Sequence, residues 1–127
     1  MTHETWIKGN IHTHTNESDG DTDAESVVRW YRQHNYDFLV LSDHNHLTIL
    51  DYENGRRKFK KPLIIPGEEV TAKIKSNSAP IHINGIGISR VVKPIDGEEI
   101  LPTLQANTDA IIDAGGIASI NHPNYEW

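Results

Sequence analysis

Residues 37–44 have the sequence Asp37-Phe38-Leu39-Val40-Leu41-Ser42-Asp43-His44, and this stretch indicates the fold class. Its continuous apolar run is typical of a strand that is buried on both faces of a parallel sheet. A carboxylate and an imidazole, Asp43 and His44, follow almost at once. In parallel α/β folds, ligands collect at the carboxyl ends of the strands. The stretch therefore predicts a buried strand that ends at a functional edge.

Four more strands and two helices are predicted on either side of this stretch. The predicted strands are residues 6–12, 63–65, 81–88 and 117–120, with Pro66-Gly67 ending the third. A capping box, Thr22 to Glu25, starts a helix that runs to about His34, and Asn35 suits the left-handed position after it. Apolar spacing predicts a second helix, ended by Gly115-Gly116, with one face formed by Leu104, Thr108, Ile111 and Ile112. Residues 45–60 are expected to be partly helical, and 94–97 to be a loop.

Strands separated by helices or long crossovers predict a parallel α/β architecture. The chain has 127 residues, which is about the size of one domain, and neither a linker nor an internal repeat interrupts it. We therefore expect residues 1–127 to form a single α/β domain.

Composition excludes several classes of protein. No apolar run approaches the ~18 residues of a membrane span, and residues 1–6 lack the features of a signal peptide, so we expect a cytoplasmic protein with no membrane partner. The absence of cysteine excludes disulfides and thiolate chemistry. The net charge is −6, and setting aside the five positive charges of residues 56–61 leaves −11, so nucleic acid is not an expected partner. We interpret that basic run as the solvated face of a helix beside Phe59, with recruitment of nucleic acid as the alternative.

Histidines and carboxylates recur near the predicted strand ends. His12 and His14 follow the first strand, Glu68 and Glu69 the third, and His122 the fifth, while His82 lies early in the fourth. A His-x-His pair in an extended segment places both imidazoles on one face, where they can bind one metal ion. A glutamate can bridge two ions, and Asp19 lies on the loop just after the histidine pair. The alternative is that these are unrelated, solvent-exposed polar residues.

Several short motifs occur in a fixed order along residues 6–124. They are His12-Thr13-His14-Thr15, Ser18-Asp19-Gly20, Asp43-His44-Asn45, Pro66-Gly67-Glu68-Glu69, His82 with Gly85, and His122-Pro123. Together with the opening residues 6–14, this ordered set resembles the PHP (polymerase and histidinol phosphatase) family of metal-dependent phosphoesterases, and most closely its stand-alone hydrolases, including the carbaryl-esterase-like branch. The resemblance implies a distorted (β/α) barrel with a trinuclear metal centre.

The resemblance also implies a ligand set. His12, His14 and Glu69 would hold the first metal, and Glu69, His82 and His122 the second, with Glu69 as the bridge. Asp19 and His44 would hold the third. The ligands suit two or three divalent ions, with zinc, manganese and iron all open. Glu69 is chosen over Glu68 on the family's Gly-x-Glu pattern, since only one of two neighbours on a strand points into the site.

One family motif, an Asp-x-His near the last strand, has no counterpart in this chain. A (β/α) barrel usually needs about 200–250 residues, whereas this chain has room for five or so strands. We therefore expect the chain to be C-terminally incomplete, a fragment of a longer protein. The alternatives are a partner subunit, such as a second copy in a homo-oligomer, that completes the barrel, and a short natural version with fewer metals.

The leading functional hypothesis is a phosphoesterase that uses a metal-bridging hydroxide on a small phosphoester. Glu69, His44 and His46 are the expected catalytic residues, with His44 or His46 donating a proton to the leaving group, although His46 also reads as a surface loop residue. The alternatives are a metal-binding module with little or no catalysis, a carboxyl or carbamate ester hydrolase with the same centre, and a nuclease. Asp43 either orients His44 or caps a loop, and Glu68 is expected to face solvent or to lie behind the ligands. His3 is assigned to the tail and His34 to a helix end, while Asn124 and Tyr125 are candidates for substrate contact.

Overall fold

A computed structural model describes residues 5–50, 52–53, 56–57 and 60–124. Within these residues there are two helices, α1 (Ala24–Gln33) and α2 (Ile100–Asp113). The strands are β1 (Gly9–Asn10), β2 (Phe38–Leu41), β3 (Tyr52–Glu53), β4 (Arg56–Arg57), β5 (Leu63–Lys73), β6 (Pro80–Ile86) and β7 (Ile117–Ile120). None of the helices in this part of the chain has the length and apolarity that a membrane span requires.

Five of the strands form one curled sheet, a half-barrel, in the order β1-β2-β5-β6-β7. The first three strands are parallel, as predicted, but β6 is antiparallel to both β5 and β7. The expectation of a fully parallel sheet was therefore wrong. Residues 74–79 alone join β5 to β6, whereas a parallel crossover needs about a dozen residues or more.

The two helices cover the sheet with separate apolar clusters. Helix α1 packs Val28 against Leu39, Leu41 and Ile64 of the parallel strands. Helix α2 packs against β5 and β6, where the cluster contains Val70, Ala72, Ile74, Ile81, Ile83, Ile88 and Ile111. The second helix therefore lies as predicted, except that Ile112 is exposed rather than on its buried face.

The boundaries of α1 follow from its caps. The side chain of Asp23, rather than Thr22, accepts a hydrogen bond from the backbone N–H of Ser26. The predicted start was therefore one residue early, because either residue type can cap a helix. The helix ends at Gln33 with His34 as its C-cap, and Asn35 has a φ of 59°, which confirms its predicted left-handed conformation.

Two predicted strands have different lengths in the structure. The first is only Gly9–Asn10, whereas β5 continues through Pro66-Gly67 to Lys73. Pro66 lies opposite Leu41, the last residue of β2, and Gly67 is the first residue of β5 to pair with β6. A strand can tolerate proline at such a change of partner, because proline disrupts a ladder only where its missing N–H is needed.

Residues 45–60 were expected to be partly helical, and the described part contradicts this. Tyr52–Glu53 and Arg56–Arg57 form a small antiparallel sheet. The two residues between these strands in the sequence, Asn54-Gly55, are the pair that most favours a tight hairpin. Arg56 and Arg57 of the basic run therefore belong to a strand rather than to a helix face, and Lys58 and Phe59 lie outside the described residues.

Candidate metal centre

One edge of the curled sheet brings all of the predicted metal ligands together. The side chains that line this open cavity are those of His12, His14, Asp19, His44, Glu69, His82 and His122. His12, His14 and Asp19 come from the loop after β1, His44 from the loop after β2, and His122 from the residues after β7. Residues that are 110 positions apart in the sequence therefore share one cavity wall, with 5.6 Å between the ring centroids of His12 and His122.

Strand direction explains how His82 reaches this edge. His82 lies near the start of β6, not after a strand end. Because β6 is antiparallel to β5 and β7, its beginning lies beside the end of β7, and the backbone N–H of Asn121 donates to the carbonyl of His82. The imidazole consequently lies on the same edge as those that follow the parallel strands.

Strand length explains the position of Glu69. Glu68 and Glu69 were predicted to end the third strand, but both lie in the middle of β5. The neighbouring β2 ends opposite Pro66, so β5 projects beyond it, and Glu69 bridges to His44 in the loop after β2. Glu69 thus stands level with the ends of the shorter strands.

The Glu69 carboxylate is the centre of the cluster. Its Oε2 atom lies 3.2 Å from Nε2 of His12 and 3.0 Å from Nε2 of His14. Its Oε1 atom lies 3.2 Å from Nδ1 of His82 and 3.3 Å from Nε2 of His122. Oε2 also lies 3.5 Å from Nδ1 of His44. Each oxygen of a side chain that is only 1% exposed therefore faces its own group of imidazoles.

Electrostatics keeps this carboxylate ionised. Burial alone would raise the pKa of Glu69, but the hydrogen-bonding side chains of His12, His14 and Asn121 outweigh burial and hold the pKa far below its ordinary value. The same contact with Glu69 raises the pKa of His14, whereas burial lowers the pKa of His82. A buried anion among imidazoles is the electrostatic arrangement that attracts a cation.

Three groups of side chains have the geometry for metal binding. In each group, the donor atoms all lie within 4.8 Å of one another. The groups are His12 with His14 and Glu69; Glu69 with His82 and His122; and His14 with Asp19 and His44. They coincide with the three predicted ligand sets, and His14 joins the third, since its Nδ1 atom is 3.1 Å from Oδ1 of Asp19.

The hydroxyl of Thr71 orients His44, and the sequence did not reveal this contact. Thr71 Oγ1 donates to the backbone carbonyl of Glu69 and is hydrogen-bonded to Nδ1 of His44. Because the hydroxyl hydrogen is used by that carbonyl, Nδ1 is the donor and Nε2 keeps its lone pair. Nε2 lies 3.4 Å from Oδ2 of Asp19, so the free lone pair is in the third group.

Asn121 is a second residue that the sequence analysis missed. Its Nδ2 atom donates to Oε1 of Glu69 at 2.9 Å and to Oδ1 of Asn84 at 2.7 Å. Asn84 in turn donates to the backbone carbonyl of Ile11, beside the histidine pair. This chain of amides connects β6, the end of β7 and the loop after β1, and it fixes one oxygen of Glu69. The sequence feature that could have indicated this role is the position of Asn121 next to His122 at the end of a strand.

Asp43 caps a loop rather than orienting His44. Its carboxylate is fully buried and accepts hydrogen bonds from the backbone and hydroxyl of Thr15 and from the hydroxyls of Ser18 and Thr48. Burial opposes ionisation, but these donors together lower the pKa of Asp43. The charge therefore holds the loop that carries His14 and Asp19. The loop backbone passes so close to itself at Gly20 that a Cβ there would lie only 2.8 Å from the backbone of His14, so the position requires glycine.

Glu68 neither faces solvent nor lies behind the ligands, so both forms of that expectation were wrong. It is fully buried on the opposite face of β5 from Glu69, with Val70 and Ala72. Its Oε1 atom accepts a hydrogen bond from the backbone N–H of Val92, and its Oε2 atom has no hydrogen-bond partner among the described residues. Burial raises the pKa of Glu68 to about 7. The strand alternates faces, so the residue next to the central ligand has to enter the core.

The remaining candidate residues that the structure describes do not line the cavity. His46 is half-exposed, with Nε2 3.7 Å from Oε2 of Glu17, and does not line the cavity, so its role as a proton donor stays a prediction. His34 caps the end of α1, as predicted. Asn124 is exposed. His3 and Tyr125 fall outside the described residues.

Nitrogen and oxygen donors of this kind suit Zn²⁺, Mn²⁺ or Fe²⁺. A carboxylate that faces two groups of imidazoles from its two oxygens suits two neighbouring ions. No protein-family model matches the chain, and no curated protein matches it. The chemistry of the cavity is therefore argued from its own residues.

Proposed function

We propose that the chain is part of a metal-dependent hydrolase, a phosphoesterase whose metal centre is the cavity around Glu69. The observation that carries this proposal is the position of the Glu69 carboxylate between two groups of imidazoles, one group at each oxygen. A buried carboxylate shared by two such groups suits a multinuclear site.

We also propose a PHP-type barrel, to which the half-barrel sheet contributes the first strands. The order of the ligands along the chain supports this proposal, as does their position on one edge of the sheet. The sheet ends on one side at β1 and on the other at β7, so further strands have an edge to pair with.

The residues of the chain have distinct roles in this proposal. His12, His14 and Glu69 would hold one ion, Glu69, His82 and His122 a second, and Asp19 and His44 a third, with His14 beside it. When bound, such ions neutralise phosphoryl oxygens and lower the pKa of water to near 7. Asn121 holds Oε1 of Glu69, and Thr71 holds the His44 ring, so that the donor atoms stay in place. Asp43 anchors the loop that carries His14 and Asp19 through its hydrogen bonds with Thr15 and Ser18.

The test compares two neighbouring glutamates. Elemental analysis of protein purified without added metal or chelator should give two or three ions per chain, and p-nitrophenyl phosphate should be hydrolysed. Glu69→Gln should lose at least one ion per chain and about 10³-fold in kcat/KM, the order of magnitude for the loss of an essential electrostatic group. Glu68→Gln is the matched control, because it changes the adjacent carboxyl on the other face of the strand.

Each outcome decides between the alternatives. Full metal content and activity in Glu69→Gln would refute the assignment of Glu69. Bound metal with no turnover of any phosphoester would favour a metal-binding module without catalysis. Turnover of carboxyl or carbamate esters in place of phosphoesters would assign the same centre to a different bond. A folded wild-type protein without metal would refute the hydrolase.

A further inference from the structure

An apolar groove adjoins the candidate metal centre on the α2 side. Its wall consists of side chains from the beginning of α2, both ends of the β5–β6 connection and the residues around the end of β7, mainly Ile74, Ile81, Ile100, Leu104, Ile120 and Pro123. The imidazoles of His82 and His122 belong to the wall of the groove and also to that of the metal cavity. The groove and the candidate metal centre therefore adjoin at these two residues.

The groove has the chemistry of a site for an uncharged group. Among the described residues, its wall contains one polar side chain besides the two imidazoles, the amide of Asn121, and none of these residues is Lys, Arg, Asp or Glu. The side chains of Ile100 and Ile120 are more than half exposed. An apolar group bound there would remove this surface from water, which favours binding.

Size restricts the ligand further. The groove has a volume of about 160 Å³. An apolar protein cavity of about 150 Å³ accommodates benzene. The volume thus suits one six-membered ring or a short branched alkyl chain and is too small for a nucleoside.

We propose that this groove binds the leaving group of the substrate, a single apolar ring, while the phosphoryl group lies at the metal centre. This inference rests on the proposed function. A phosphomonoester has only one organic substituent, and its dianionic phosphoryl group belongs with the cations. The organic part must then lie in an adjacent space, and the groove is the apolar space that shares His82 and His122 with the centre.

The reaction for such a substrate is a simple hydrolysis. With phenyl phosphate and water, the bond from phosphorus to the phenolic oxygen breaks and a bond from phosphorus to the water oxygen forms. The phenolic oxygen takes up a proton from that water. The products are inorganic phosphate and phenol, and phenol is neutral at pH 7, as the groove requires.

The test places a larger side chain in the groove by a substitution at an exposed position of α2. Ile100→Trp places an indole at the groove, and Leu101→Trp is the matched control, because Leu101 is the next residue of α2, is 77% exposed and does not line the groove. The first readout is the binding of phenol to the protein as purified, followed by NMR. We expect binding in wild type and Leu101→Trp, and weakening by about tenfold or more in Ile100→Trp, since apolar pockets discriminate by such factors.

The second readout is selectivity between substrates. In Ile100→Trp, the ratio of kcat/KM for phenyl phosphate to kcat/KM for glycerol 3-phosphate should fall about tenfold, whereas Leu101→Trp, outside the groove, should keep the wild-type ratio. Leu104→Ala enlarges the groove, and it should therefore raise the ratio of 2-naphthyl phosphate turnover to phenyl phosphate turnover severalfold. Thermal unfolding of each variant checks that the fold is retained.

The outcomes separate this inference from the proposed function. Hydrolysis of glycerol 3-phosphate without phenol binding, or equal losses in both tryptophan variants, would overturn the groove and leave the phosphoesterase intact. Phenol binding in the groove without turnover of any phosphoester would overturn the proposed function and the leaving-group role, but would support the ring site. A change of solution mass from dimer to monomer in Ile100→Trp alone would show that a second copy occupies the groove and would overturn the proposal.

Discussion

Glu68 and Glu69 are adjacent, equally buried and chemically identical, yet the two faces of β5 shift their pKa values in opposite directions. Glu69 is surrounded by imidazoles and an amide, and its pKa is held far below the ordinary value. Glu68 lies among apolar side chains with a single backbone donor, and burial raises its pKa to about 7. Burial opposes ionisation at both positions, so the partners alone decide the outcome. Burial of a carboxylate therefore does not by itself indicate a cation site, and the distinguishing feature of Glu69 is the imidazoles at both of its oxygens.

The largest effect on stability is expected for Glu68, on the core face of β5. In the unfolded chain Glu68 loses its proton above pH 4.5, whereas the folded protein keeps the proton until about pH 7. The free energy of unfolding therefore falls as the pH rises through this window and levels off above it, by up to about 3 kcal/mol. Glu68→Gln should remove this fall, so that it is more stable than wild type at pH 8 and similar to it at pH 5. Urea unfolding at the two pH values measures the difference.

The control for this pH profile is Glu69→Gln. The pKa of Glu69 is lowered, so its ionised form stabilises the fold at neutral pH. Glu69→Gln should consequently show no gain at pH 8. Parallel profiles for wild type and Glu68→Gln would mean that Glu68 is ionised within the core.

Asp43 sharpens the comparison, since it is a buried carboxylate whose donors are hydroxyls and a backbone N–H. Asp43→Asn replaces one acceptor oxygen with an NH₂ group that faces other donors, at a cost of about 2–3 kcal/mol. The pKa of Asp43 is lowered, so its contribution is present at neutral pH and is lost as the pH falls below its ordinary value of 3.8. Chemical denaturation at pH 7 measures this cost.

Asp37→Asn is the matched control for Asp43. The Asp37 carboxylate also accepts hydrogen bonds, from the backbone of Lys8 and from the side chain of Lys61, but both contacts are at the surface. Its loss should therefore cost clearly less stability than the loss of the Asp43 carboxylate. Equal losses at the two positions would contradict a special role for the hydroxyl donors around Asp43.

The smallest effect is expected at Thr71, on the site face of β5. Thr71→Val removes the hydroxyl that fixes the His44 ring, and it should weaken metal binding in the group of Asp19 and His44 by about tenfold, as loss of an orienting hydrogen bond does. Thr71→Ser keeps the hydroxyl and should restore affinity. Metal titration of the three proteins compares them, and identical weakening by Val and Ser would refute the orienting role.

The sequence predicted the seven cavity residues because each of them belongs to a short motif, and the order of the motifs survives any error in the strands between them. The direction of β6 was not predictable from its own pattern, since alternation is the same in either direction. Its direction depends on the short β5–β6 connection. Thr71 and Asn121 were not predicted, because each makes its contact through tertiary packing and neither belongs to a motif. The core position of Glu68 could have been predicted, because side chains alternate between the two faces of a strand and Glu69 was already assigned to the site.

The 110 positions between His12 and His122 also affect how the protein folds. Pairings between residues so far apart in sequence close large loops, and such contacts form late and slowly. Synthesis must pass His122 before both oxygens of Glu69 have their imidazoles. Until then the nascent chain carries a half-formed ligand set, and tight metal uptake is expected to follow completion of β7 rather than to guide the earlier strands.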